Sequence, residues 1–393
     1  MFSFHMVLDG SLRMKPSLWA IGILALLCIV QVRAATCNGV TNSQTIKVPG
    51  HPFAVVPSAD NCWLFVSLET RNERGAVGVL HNQAGQFTLE RTVDIPRNAF
   101  GESLARDGAT LFVAAGADTA VLDVAMLERG DAGALLGWLR NERGGGAIYA
   151  AVSPDDKTLF VTDEDKRRIS VFDLVKARAN RFREGEPIGH IKTAYAPVGL
   201  AFSPDGRWLY ATNEVGPAKN GHMCPDELHR DHEHAPGVLV IVDARKAATD
   251  PEHALVGALV AGCNPVRVAA SPDGKWVWVT ARGGNKLLRF QMDEWPAQAD
   301  HIVSTSFDIG VSPVGIAVRP DGRQVWVALS NRFGDDEAGQ LVGLEDTTQD
   351  SPAKLLSAPA KGFPREVSFL PDNRTVAVTL FNANQVELIP TPD

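Results

Sequence analysis

The stretch AFSPDGRWLYATNE, Ala201 to Glu214, sets an apolar run, a Ser-Pro-Asp-Gly turn and an alternating run from Trp208 in direct succession. Asp-Gly between two apolar runs is a strong hairpin signal, so the stretch reads as two short strands joined by a tight turn. It recurs as AASPDGKWVWVTAR (Ala269 to Arg282), AVSPDDKTLFVTDE (Ala151 to Glu164), AVRPDGRQVWVALS (Ala317 to Ser330) and SFLPDNRTVAVTLF (Ser368 to Phe381). Weaker copies are VPSADNCWLFVSLE (Val56 to Glu69) and SLARDGATLFVAAG (Ser103 to Gly116). The seven turn aspartates, Asp60, Asp107, Asp155, Asp205, Asp273, Asp321 and Asp372, follow one another at intervals of 47, 48, 50, 68, 48 and 51 residues.

Each unit carries two further β-rich runs, such as Val238 to Val242 and Ala254 to Val260, or Ile169 to Phe172 and Pro187 to Ile191. Four strands in about 50 residues make a propeller blade, and a repeat at that period is the signature of such a ring. The expected fold is therefore all-β, a seven-bladed β-propeller in one domain over residues 35–393. The length of 393 would otherwise suggest two or three domains of about 150 residues. After the seventh hairpin only Gln385 to Ile389 remains as a third strand. The missing outer strand is expected from Gln44 to Val48, a clasp of the two termini that leaves no open sheet edge there. Trp63, Trp208, Trp276, Trp278 and Trp326 sit at strand positions and read as blade packing.

The runs Leu209 to Asn213 (LYATN), Leu159 to Asp163 (LFVTD) and Val277 to Ala281 (VWVTA), each downstream of a Ser-Pro-Asp turn, resemble the YVTN-type β-propeller repeat. That neighbourhood includes methylamine dehydrogenase heavy chains and propeller lactonases, and the resemblance covers nearly all of the chain after the leader. Its motif residues are turn and packing residues. They imply a fold, while function has to be argued from the site.

Before Thr36 the sequence reads differently. Met14-Lys15 precedes the apolar run Leu18 to Val30, and Val32-Arg33-Ala34 offers a small-residue cleavage site. Residues 1–34 are expected to be a secretory signal peptide, with Met14 as an alternative start to Met1. The apolar run is about 13 residues, short of the roughly 20 that span a bilayer. The expectation is thus a secreted or periplasmic protein, with no transmembrane span once the signal is removed. The net charge of -8 becomes -10 when Asp9, Arg13, Lys15 and Arg33 leave, and no basic stripe remains for a phosphate backbone. Nucleic acid is excluded as a partner; a small molecule or a protein is expected, bound by a monomer.

Four cysteines remain after Cys28 departs, an even number for an oxidising compartment. Strand direction in a propeller pairs them. The first strand of each blade descends, so Cys62 lies in a lower turn and Cys37 below the ascending clasp strand. Cys224 and Cys263 lie in upper connections. Cys37–Cys62 and Cys224–Cys263 are the expected disulfides.

Two regions are candidates for chemistry. The long interval places its excess between strands two and three of the fourth blade, residues 215–237, where His222, His229, His232 and His234 cluster with acidic residues. Neutral imidazoles could hold a divalent metal such as zinc, copper or calcium, although the spacing matches no standard zinc motif and a solvated loop accounts for the same residues. No other cofactor is called for. The second candidate is the upper mouth of the central channel. There the innermost strands carry mostly small residues, with Tyr149, Arg267 and Glu366 as departures that act either as a structural ion pair or as ligand contacts. Glu69, Asp163, Glu214 and Arg282 end second strands at the same face, and His51 leads into the first blade. Glu69, Asp163, Glu214 and His51 are the candidate catalytic residues, and Tyr149, Arg267, Arg282 and Glu366 the candidate ligand contacts. Whether the protein is an enzyme is left open by the sequence. The function expected is an exported scaffold that binds a ligand or protein through its upper face and the His-rich loop. The alternative, which the family resemblance implies, is a lactonase-like hydrolase or the propeller subunit of a quinoprotein-type dehydrogenase.

Overall fold

The computed structural model describes residues 36–392 except 142–143, 184, 218–222, 228–230, 298–301, 303, 335–337, 346 and 348–353. The expected signal peptide, His222 and His229 lie outside the described residues. Seven four-stranded antiparallel sheets follow in chain order, and six of them are built from consecutive strands except for a small insertion. The seventh joins Pro364–Phe369, Thr375–Leu380 and Gln385–Pro390 to the N-terminal strand Gln44–Lys47. Gln44 pairs with Leu388 and Lys47 with Gln385, so the ring closes as a clasp.

The turn that decides the fold is held by its own side chains. In the fourth blade the Ser203 hydroxyl donates to Asp205 Oδ1 at 2.6 Å, the Arg207 amide donates to the same oxygen, and the Trp208 amide donates to Ser203 Oγ. Blades three and five repeat this set at Ser153/Asp155 and Ser271/Asp273. The Ser203 hydroxyl holds the Asp205 carboxyl below its ordinary range.

Alternate residues of a strand face opposite neighbours, and the core divides accordingly. In Trp208–Val215, Leu209 and Ala211 pack toward the third blade while Trp208 and Tyr210 pack toward the fifth. There is thus one hydrophobic cluster between each pair of adjacent blades. Trp278 and Trp326 are fully buried in these clusters, in keeping with packing.

The threonine of the repeat has a physical reason. The innermost strands bulge, with register shifts at Pro197/Gly199 and Pro265/Arg267. A bulge leaves an amide without its ladder partner. In the fifth blade Arg267 N donates to Thr280 Oγ1 at 3.1 Å, and Thr280 Oγ1 donates to Val314 O of the sixth blade at 2.8 Å. Gly199, Thr212 and Val266 repeat the arrangement between blades four and five at 3.0 and 2.8 Å. The hydroxyl thus staples each such blade to the next beside the axis.

Both disulfides form as the strand directions require, Cys37–Cys62 and Cys224–Cys263. Three short helices, Val124–Arg129, Leu174–Ala179 and Ala244–Ala247, lie between the third and fourth strands of blades two to four. Asp123, Asp173 and Asp243 cap them, each accepting from the amide three residues on.

Candidate functional site

Seven inner strands converge on the axis, so side chains must be small or must partner one another. A Cβ on Gly101 would lie 2.2 Å from the Tyr149 ring, and one on Gly199 would lie 2.5 Å from Val266 O. Into the space these glycines leave come the three departures. Arg267 Nε donates to Glu366 Oε2 at 3.0 Å, Tyr149 OH donates to Glu366 Oε1 at 3.4 Å, and the Arg267 guanidinium lies 4.7 Å from the Tyr149 ring centroid. Arg267 and Glu366 are 4% and 6% exposed, so this is a buried ion pair with an aromatic lid. Blades three, five and seven thus plug the channel, with Arg267 and Glu366 ion-paired, Tyr149 bonded to Glu366, and Arg267 also lining the cavity above. Glu102, from the second blade, stands beside them. Burial, with Glu366 nearby, pushes its carboxyl well above the ordinary range.

Above the plug the apolar ring Ile148, Val198, Val266 and Val314 forms the floor of a cavity of about 140 Å³. Its walls carry Glu164, Glu214, Arg282, Arg332 and Arg365. Arg282, 5% exposed, is spanned by two carboxylates: Nε and Nη2 donate to Glu227, and Nη1 and Nη2 to Glu214. Burial works against its charge, but Glu214 and Glu227 carry its pKa above the ordinary value.

Arg365 is different. Its innermost-strand position holds Phe53, Ile148, Val198, Val266 and Val314 in other blades. Its guanidinium stacks 3.7 Å from the Phe53 ring centroid, and its buried Nε has no hydrogen-bond partner. Burial, reinforced by the charge of Arg267, pushes its pKa down to about 9. Among the described residues neither Arg365 nor Arg332 is ion-paired with a carboxylate. Glu164 shares their cavity, and burial, with Glu214 and Asp165 alongside, pushes its carboxyl up. Guanidiniums with no carboxylate ion pair among the described residues, lining a cavity beside a carboxyl of raised pKa, can grip a carboxylate or polarise a carbonyl and exchange a proton with the ligand.

The other sequence candidates fall in separate places. His51 and Glu69 are cross-strand partners at the rim. His51 Nδ1 meets Phe381 O at 2.9 Å, and a carbonyl only accepts, so the neutral ring carries its proton there and leaves Nε2 as an acceptor. Burial pushes Glu69 up, against the pull of Arg365 and His51. Asp163 is not brought into the cavity. It is fully buried, with Oδ1 accepting from the Gly146 and Lys166 amides and Oδ2 from Arg168 Nε. It holds its own loop, as Asn213 does at the equivalent place by donating to Thr193 Oγ1 and Ala194 O.

The long loop of blade four folds back over the mouth as a small ribbon, with Cys224 opposite His234 and Pro225 opposite Glu233. The Cys224–Cys263 disulfide ties it down and delivers Glu227 to Arg282. His232 is exposed beside Asp231, and His234 Nδ1 meets Ala235 O at 2.8 Å. Among the described residues no group of three or more metal-ligating side chains gathers. Arg365 is not among the sequence candidates, since it precedes Glu366, the departure from small residues; its signal is a charge where the other blades place apolar residues.

A seven-bladed ring with a charged, cavity-bearing upper mouth is the class this fold and site define. The chain belongs to the family described as "Lactonase, 7-bladed beta-propeller", whose profile matches residues 34–332. No curated protein matches the sequence. Among solved structures, Kuenenia stuttgartiensis hydrazine synthase is 17% identical with a TM-score of 0.66, covering 92% of this chain and 99% of that one. The periplasmic gluconolactonase of Pseudomonas aeruginosa is 21% identical with a TM-score of 0.60, covering 79% and 86%. A putative 6-phosphogluconolactonase of Bacteroides fragilis is 17% identical with a TM-score of 0.58, covering 79% and 85%. Identities this low speak to the fold. The two disulfides fit an oxidising compartment. Among the described residues no helix is long and apolar enough to cross a membrane.

Proposed function

We propose that this protein is an exported propeller that binds a small molecule bearing a carboxylate or lactone carbonyl in its upper mouth, with the blade-four loop as one wall. The observation that carries this reading is Arg365, which among the described residues has no ion-pair partner and lines the cavity that Arg332 and Glu164 share. Keeping an unpaired charge in such a place costs stability, and perturbed groups of this kind cluster at functional sites.

Lactone hydrolysis is the second reading, favoured by family membership and by the raised pKa of Glu164. Two structural neighbours bear gluconolactonase names. In this reading ionised Glu164 takes a proton from water as the water oxygen bonds to the lactone carbonyl carbon. Arg365 holds the resulting oxyanion. The ring C–O bond then breaks, and the leaving alkoxide recovers the proton from Glu164 to give a hydroxy acid. A metal in the His-rich loop is a separate proposal that elemental analysis of the secreted protein tests.

The deciding experiment is calorimetric titration of the wild type and of Arg365→Gln with acetate and gluconate, alongside pH-stat hydrolysis of glucono-1,5-lactone. Binding that Arg365→Gln abolishes supports the reading. Binding that survives both Arg365→Gln and Arg332→Gln refutes it.

A further inference from the structure

The arginine cavity has a neighbour. A groove of about 420 Å³ lies beside it, lined by Pro225 and Glu227 of the blade-four loop, Val311 and Ser312 of the lead-in to blade six, and Phe333. Arg282 lines both spaces, and the adjacent residues Arg332 and Phe333 line one each. The two spaces therefore adjoin, with Arg282 and the Arg332–Phe333 pair as the wall between them. The cavity alone is smaller than the usual range for small-ligand sites, about 300–1,000 Å³, and the groove brings the site into it.

The groove differs from the cavity in chemistry. Val311 is 53% exposed and Phe333 43%, large apolar side chains that a folded ring could have turned inward. The cation between them and the cavity, Arg282, is taken by Glu227 and Glu214, and the Arg332 guanidinium lies 5.4 Å from the Phe333 ring centroid. Glu227 on its wall is likewise matched, by Arg282. What fits is neutral and apolar.

We infer that the groove is the second half of the ligand site and takes the apolar substituent of a ligand whose carboxylate or lactone head sits against Arg365. The ligand class is thereby an amphiphilic acid or lactone, an acyl or aryl derivative, and not a bare sugar acid. This rests on the reading of the mouth as a carboxylate site. Phe333 and Val311 are specificity-determining residues, with no part in proton transfer.

Ligand-observed NMR titration with acetate, butanoate, hexanoate and octanoate tests it. In the wild type, affinity rises about fourfold per added methylene that enters the groove. In the Phe333→Ser/Val311→Ser double variant, acetate binds as in the wild type, which also reports a folded mouth, and the rise with chain length falls to less than about half. Acetate binding that Arg365→Gln removes, with no dependence on chain length in the wild type, overturns the groove and leaves the mouth. An undiminished slope in the double variant also overturns it. If no carboxylate binds the wild type at all, the reading of the mouth fails and the groove with it.

Discussion

Replacing Thr280 by valine keeps the shape of the side chain and removes one hydroxyl. That hydroxyl is fully buried, accepts from Arg267 N at 3.1 Å and donates to Val314 O at 2.8 Å. Each backbone group left unsatisfied costs about 1–3 kcal/mol, and the added methyl returns about 0.8 kcal/mol. With two such groups the net loss is about 1–5 kcal/mol. For a ring of this length the melting temperature moves by about 1 °C per kcal/mol. The structure supplies internal comparisons. Thr212→Val breaks an equivalent pair, at 3.0 and 2.8 Å, and costs the same. Thr379 accepts from Glu366 N at 2.9 Å but reaches Phe53 O only at 3.5 Å, so Thr379→Val costs about half as much. Equilibrium urea unfolding with the disulfides intact, followed by tryptophan fluorescence and circular dichroism, measures all three. A loss below about 0.5 kcal/mol for Thr280→Val, or Thr379→Val as costly as Thr280→Val, refutes the idea that this hydroxyl joins neighbouring blades.

Arg365, held down to about 9, regains its charge when a carboxylate binds, so binding takes up about half a proton at pH 9 and close to none at pH 7. Calorimetry in buffers of different ionisation enthalpy reads this, and a buffer-independent enthalpy at pH 9 contradicts it. In the unfolded chain the same arginine keeps its proton to higher pH. The unfolded state then binds more protons above about pH 9, and this group's contribution to stability rises with pH from there up to the ordinary arginine value. Glu366→Gln strands the Arg267 guanidinium in the plug and lowers stability by about 3–5 kcal/mol. Urea unfolding should show most of that loss recovered in Arg267→Met/Glu366→Met. Cys37→Ser/Cys62→Ser opens a loop of sequence separation 25 and costs about 3.5 kcal/mol. Amide exchange in Gln44–Lys47 should then run ahead of the other outer strands, and uniform protection would show that the clasp does not depend on the bond.

The blades were legible because their signals are local. Ser203, Asp205 and the Trp208 amide lie within six residues of one another, and the same set recurs at a steady spacing. Strand direction follows from counting strands, so the clasp and both disulfide pairings were within reach once the blade was recognised. Second-strand ends were harder. Glu214, Asp163 and Glu69 look alike in sequence, yet one residue of register decides whether the side chain turns into the cavity, as Glu214 and Glu164 do, or back onto its own loop, as Asp163 and Asn213 do. Tyr149, Arg267 and Glu366 stood out as exceptions to small residues, but nothing along the chain told that they answer one another. Arg365 lies one position before the small-residue site that Glu366 occupies, where the other blades are apolar.

A repeat states what seven segments share, and by itself the sequence determined the shared part: hairpins, blades, their number and the closure of the ring. The site is made of what they do not share. Arg267 meets Glu366 across 99 residues, Tyr149 meets Glu366 across 217, and His51 meets Phe381 across 330. Only closure brings these exceptions to one axis. Which charges cancel there, and that Arg365 is left over facing a cavity, depends on the angles between blades around the ring, and no spacing along the chain encodes that.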